Sequence, residues 1–313
     1  MSEPLLMRKR TMLAKIEAVY GADPTPTGAA DAILIKSLDI TPIEASLLPR
    51  DLIRPFMGNS ENLVNAAYTK LDFECELAGS GTLGKAPAFG KLLRACGMAE
   101  TIAVGVSVAY TPVSGAFESA TFYVNVDGVL HKMLGARGTF SLAMSAGTIP
   151  TIKFSFSGLY GAVTDTIAPA VVLTDWQQPL PINNRNTSAP ELHGFAGLVM
   201  SDLSVDIANA VTFRSLVGGS ESVLITDRKT AGSITFEATK IADKNWFAAA
   251  LTAALGLFSV THGTVAGNKV TVAAPKTQIT APKYSDKDGV AMLQCGLVIV
   301  PGTGNDELTL TFK

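Results

Sequence analysis

Residues 71–98 read LDFECELAGSGTLGKAPAFGKLLRACGM. The first seven alternate, with Leu71, Phe73, Cys75 and Leu77 facing one way and Asp72, Glu74 and Glu76 the other. Period two is the signature of a half-buried strand. A glycine-rich turn follows, and from Pro87 the spacing becomes helical. Phe89, Leu92, Leu93 and Cys96 share one side, Pro87 suits a first turn, and Gly97 suits a stop. The same order recurs later in the chain. AGSITFEATK (231–240) precedes Asp243, which can cap a helix carrying Trp246, Phe247, Ala250, Leu251, Ala254 and Leu255 and ending near Gly256.

Outward from these segments the alternation repeats. Phe122, Val124 and Val126 oppose Tyr123, Asn125 and Asp127; Ile152, Phe154 and Phe156 oppose Lys153, Ser155 and Ser157. Further strands are expected at Val270 to Ala274, Leu297 to Val300 and Leu308 to Phe312. Many short strands between glycine-containing turns make the chain mainly β. A third, short helix is expected at Met12 to Tyr20, stopped by Gly21 and Pro24.

The halves also match in order. Phe73-Glu74 corresponds to Phe236-Glu237, Phe89 to Phe247, and Ile35 to Ile40 to the stretch Val199 to Val205. TFSLAMSAGTIPTIKFSFSGL (139–159) aligns without a gap to TQITAPKYSDKDGVAMLQCGL (277–297), so that Gly158-Leu159 meets Gly296-Leu297. An internal duplication follows: a first β-domain over 35–165, a second over 191–313, and a proline-rich connector over 166–190. Residues 1–34, with no counterpart of equal length, are expected to form an arm.

Composition narrows the function. Hydrophobic residues make up 47% of the 313, enough for a sizeable core, whereas charged residues are only 17%. A surface so poor in ions is readily buried against copies of itself, because few charges need desolvating. A net charge of -2 gives no case for wrapping a nucleic acid duplex, and Arg8, Lys9 and Arg10 read as a solvated end. The 3 cysteines, Cys75, Cys96 and Cys295, have neither disulfide nor zinc spacing and read as small core hydrophobes. The opening residues lack the apolar core of a secretory signal, and the apolar run Trp246 to Val260 is shorter than the roughly 20 residues of a membrane span.

The strongest enzyme-like signal is Gly79-Ser80-Gly81-Thr82-Leu83-Gly84-Lys85, the first seven positions of a phosphate-binding loop. Ala86 stands where the magnesium-binding hydroxyl belongs, and the matching stretch Ile241 to Lys244 has no glycine cradle. A flexible strand-to-helix turn is the better reading. His131, in a hairpin region, His193, and His262, in a loop, lack partners in any zinc order and read as ordinary polar residues. Asp72, Glu74, Glu76 and Glu237 have no carboxylate partner at a defined separation. They fit a solvated sheet face or a weakly acidic channel lining, which would repel the phosphates of passing DNA. No catalytic residue, cofactor or metal site is expected.

KIEAVYGADPTPTGAADAILIKSLDITP (15–42), followed by the 71–98 segment, resembles the tail tube proteins of long-tailed bacteriophages, particularly those with two tandem tube domains. The resemblance covers most of the chain. It implies β-sandwich or barrel-like domains, each with a flanking helix, whose strands join those of neighbouring subunits into an inner β-barrel. It further implies a virion structural protein that forms stacked trimeric, pseudo-sixfold rings in the host cytoplasm, in a non-contractile siphovirus tail. Implied partners are further copies of the chain, the tape measure protein, the tail terminator and a distal tail or baseplate protein, with DNA passing through and no membrane insertion. Loops 42–70 and 206–232 are candidates for reaching the adjacent ring. Alternatives are another phage structural β-protein (baseplate, decoration or contractile-tail inner tube), an adhesive β-protein, and a nucleotide-binding enzyme using Gly79 to Lys85.

Overall fold

The computed structural model describes residues 4–313. Strand β1 (Arg10–Ile16) occupies the region expected as a helix from Met12 to Tyr20. Its Met12 and Ala14 enter the core while β2 (Ala32–Ile33) pairs with it on one edge and β7 (Ala120–Val126) on the other. Two hydrogen-bonded edges outweigh a weak local helix preference. The arm expected over 1–34 is therefore tied into the sheet from Arg10 onward; residues 1–3 lie outside the described residues.

The remaining strands of the first half are β3 (Ser37–Pro49), β4 (Asn62–Glu76), β5 (Met98–Ala103), β6 (Ser107–Pro112), β8 (Val129–Ser145), β9 (Thr151–Tyr160) and the short β10 (Thr164–Asp165). The second half carries β11 (Glu191–Leu192), β12 (Phe195–Ala196), β13 (Met200–Asp206), β14 (Asn209–Arg214), β15 (Ser222–Arg228), β16 (Ala231–Glu237), β17 (Leu255–His262), β18 (Val270–Lys287), β19 (Val290–Ile299) and β20 (Thr309–Phe312). All pairings are antiparallel.

One run of strands organises the molecule. In the first half the order is β3-β4-β9-β8, and in the second β13-β16-β19-β18. β8 pairs directly with β13, Leu142 opposite Val205, so the two runs make one continuous sheet across the halves. Around it, β1 pairs with β2 and β7 as β11 pairs with β12 and β17. Among the described residues the β5–β6 hairpin has no counterpart in the second half, where α2 leads directly into β17 and β18. β20 lies between β18 and β6 and stitches the halves a second time. Among the described residues the sheet does not close into a barrel.

The register corrects the gapless alignment of 139–159 with 277–297. Phe73 lies opposite Phe154 and Phe236 opposite Leu293; Leu71 lies opposite Phe156 and Ile234 opposite Cys295. With Phe73 matched to Phe236, Phe154 takes the place of Leu293, one residue beyond the partner that the gapless alignment gives it. A one-residue slip exchanges the two faces of a strand; all eight of these side chains are buried.

The two helices are short. α1 (Gly90–Ala95) starts three residues after Pro87, and Gly97, with φ 77°, stops it as expected. α2 (Trp246–Leu251) is capped not by Asp243 but by Asn245, whose side chain accepts from the amide of Ala248. It ends well before Gly256, because the chain reverses at Ala253 (φ 51°) and Leu255 already belongs to β17. Trp246, packed edge-on to Phe236, is the aromatic that enters the core at the helix start, while Phe247 is only half-buried. In the first-half part of the core Phe73, Phe122, Phe154 and Phe156 pack against one another, each fully buried ring contributing about 2–3 kcal/mol. The segment 166–190 runs back over the first half, where Trp176 donates to the Ala32 carbonyl at 3.2 Å and Ile182 is buried.

Candidate assembly surfaces

Each strand of the eight-strand run has one face in the core and one outside it. On the outer face Asp39 lies opposite Asp72 and Asp72 opposite Ser155; Glu74 lies between Ser37 and Lys153. Ser204 lies between Ala143 and Ser233, and Asp202 between Ser145 and Thr235. The sequence-predicted residues Asp72, Glu74 and Glu76 thus stand in a row on β4, with Glu237 at the end of β16 farther along the same sheet. Glu74 meets Lys36 at 3.5 Å. Asp39, Asp202 and Asp206 join them and were missed, although the alternation Asp202-Leu203-Ser204-Val205-Asp206 marks the latter two in the sequence. Lys70 and Lys153 break the acidic field. Asp202 is held below the usual carboxylate range: burial opposes this, but hydrogen bonds from Ser145 and Ser201 outweigh it. The face is polar, rich in Ser and Thr, and acidic on balance.

Two edges of this sheet are open among the described residues. β3 pairs only with β4, and β18 beyond Gln278 pairs only with β19. The segment 283–291 at the end of the β18–β19 hairpin is exposed throughout. Open edges are templates for pairing with another chain. The outer ends of β3 and β4 form a protruding hairpin with exposed Leu47, Leu48, Ile53, Phe56, Leu63 and Val64. Its counterpart β14–β15, within the loop expected to reach outward over 206–232, is instead folded onto the first half. Val223 and Ile225 are buried there, the Val223 amide donates to the Tyr20 hydroxyl at 2.6 Å, and Arg137 donates to the Val223 carbonyl at 2.9 Å. Its tip around Leu216 and Val217 is exposed.

The glycine loop is an internal joint. The Gly79 amide donates to Asn268 Oδ1 at 2.7 Å and the Gly81 amide to the Gly267 carbonyl at 2.9 Å. A Cβ on Gly79 would lie 2.2 Å from the Gly267 carbonyl oxygen, so glycine is needed for close approach of two backbones. Lys85 meets Asp175 at 2.8 Å, and α1 begins only at Gly90. A phosphate cradle needs free amides at a helix start; here the Gly79 and Gly81 amides are already bonded. Among the described residues no cluster of three His, Cys, Asp or Glu side chains could hold a metal, and no helix is long and apolar enough to cross a membrane. The cysteines are buried, and burial pushes the Cys295 thiol up to about 11.

His262 ends β17 instead of lying in a loop, and is buried between Thr187 (Nδ1 to Oγ1, 2.8 Å) and the Leu180 carbonyl (Nε2 to O, 3.0 Å). Burial lowers the affinity of His131, His193 and His262 for a proton below the ordinary value of 6.5. The unfolded chain therefore takes up protons first as pH falls. The stability these rings contribute is complete above about pH 6.5 and is lost below it. Melting temperatures are expected to fall from about pH 7.5 to about pH 5, and His262→Gln to remove part of that slope.

A polar, acidic sheet face, two open edges and a protruding apolar hairpin are features of a part made to be joined to others. Comparison with curated proteins gives no match. The family model described as phage tail tube protein matches residues 7–312, nearly the whole chain. The chain belongs to the phage tail tube protein family.

Proposed function

We propose that this chain is the structural subunit of a tail tube in which copies join edge to edge around a DNA-conducting channel, with three chains completing each ring. The pairing of β8 with β13 carries the reading. β18 stands in the second half where β8 stands in the first, and β3 stands where β13 stands. The junction inside the chain is therefore a template for the junction between chains, with β3 of one copy beside β18 of the next. Carrying the internal register over sets Thr41 opposite Lys287, because Ser204 lies opposite Ala143. Such pairing satisfies the open backbone groups and leaves no free edge once the ring closes.

The two halves of the chain act as an internal duplication, so three copies present six similar units around the lumen. The acidic face, with Asp72, Glu74, Glu76 and Glu237, lines it and keeps phosphates from adhering. The tube works mechanically, with no turnover and no cofactor. It takes its place in the virion between a terminator and a distal tail or baseplate protein, around a tape measure protein, after assembly in the host cytoplasm.

Purified chain at high concentration should form hollow rods or three-lobed rings by negative-stain microscopy. Excising Asp286–Ala291 and closing the hairpin with Asn-Gly shortens the open edge without touching buried residues. The expected product is a folded monomer that forms no rods; rods of ordinary abundance would refute the edge assignment.

A further inference from the structure

We propose, resting on the edge-to-edge reading above, that the outer hairpin of β3 and β4 laps onto the neighbouring copy and seats on the open C-terminal end of α2. The internal junction has two layers. Beside the β8–β13 pairing, the chain continues from β13 into the β14–β15 hairpin, which seals the C-terminal end of α1. Asn209 Nδ2 donates to the Cys96 carbonyl at 2.7 Å and to the Gly138 carbonyl at 3.0 Å. A side chain on Gly97 would meet Phe117 and Ile225. Val223 is 0% exposed and Ile225 8%.

The end of α2 has the same local form, leaving through a positive φ at Ala253 as α1 leaves through Gly97. Among the described residues nothing seals it. Leu251 is 89% exposed, Leu255 53% and Leu257 41%. The hairpin that would stand to β18 as β14–β15 stands to β8 is the outer half of β3–β4 from the next copy. Both faces of that hairpin are apolar and exposed, with Leu48 opposite Leu63 on one and Leu47 opposite Val64 on the other. One chain thus carries both a socket and a plug, offset by one position in the ring, and the occupant is a second copy. Leu63 lies on the β4 side of the plug as Ile225 lies on β15.

The test is a chain carrying Leu63→Cys and Leu255→Cys, in which the native thiols are buried and unreactive. Mild oxidation of assembled rods is expected to give dimers and ring-closed trimers, and nothing larger, on a non-reducing gel. A mixture of the two single variants should stop at dimers. Independently, Leu251→Asp with Leu255→Asp should lower the pelleted fraction at fixed concentration by about tenfold, leaving the melting temperature of the monomer unchanged. Rods whose introduced thiols stay free, or a Leu63→Cys that links only to an adjacent ring, would overturn the socket while leaving the ring standing. Absence of any rod or ring from the unmodified chain would overturn both.

Discussion

Phe154→Ala is expected to lower the unfolding free energy by about 4 kcal/mol, measured by chemical denaturation of the monomer at low concentration. Phe154 is 0% exposed and sits at the middle of β9, between Phe73 on β4 and Phe140 on β8. Ring centroids lie 5.3 Å from Phe73, 6.0 Å from Phe156 and 6.2 Å from Phe140. Truncation removes the transfer energy of the ring and leaves a void that its neighbours cannot fill, because each is anchored to a strand of fixed register. Phe154→Leu keeps most of the volume and should cost less than half as much. A loss under about 1 kcal/mol for the alanine variant would mean that this layer is not packed as described.

Glu307→Ala is expected to destabilise by about 3–5 kcal/mol, as for other buried pairs broken from one side. The Glu307 carboxylate accepts from Arg228 Nε, and both side chains are largely removed from solvent, 7% and 13% exposed. Arg228 also donates to the Val113 carbonyl at 2.8 Å, so it joins β15, the segment before β20 and the end of β6. Removing the carboxylate leaves the guanidinium, 13% exposed beside an open cavity, with the Val113 carbonyl and Asn305 Oδ1 as its remaining partners. Replacing both members, Arg228→Met with Glu307→Leu, should recover most of the loss, since the pair as a whole contributes little net stability. A double-mutant cycle reads the coupling directly. Coupling below about 0.5 kcal/mol would place the pair with ordinary surface ion pairs.

How far the sequence speaks can be followed residue by residue. Leu71 to Leu77 and Ile152 to Phe156 announce their strands because one face is core and the other is not. Phe73 and Phe236 reveal corresponding positions for the same reason. Met12 to Ile16 misleads, since its partners β2 and β7 are supplied from distant sequence and local spacing cannot register them. The slip between Phe154 and Leu293 has a related cause: glycines at 158 and 296 look alike as letters, but only the cross-strand partners fix the face. At the candidate surfaces, the acidic residues of β4 were legible from alternation. The exposed patch at Leu251 and Leu255 was not, because helical spacing places these leucines on an apolar side and cannot say that nothing among the described residues covers it.

The bonding of β20 also orders events in time. Thr309–Phe312 fills the gap between β18 and β6, and Phe312 packs edge-on against Phe89 and Tyr110. A ribosome delivers residues 98–112 some two hundred positions before the strand that must lie beside them. Until that strand emerges, the nascent first half keeps an unfinished border and an incomplete interior. Maturation of each building block is thereby deferred until residues 309–312 have been made, and products terminated before them should be cleared by proteases before they can poison a growing filament.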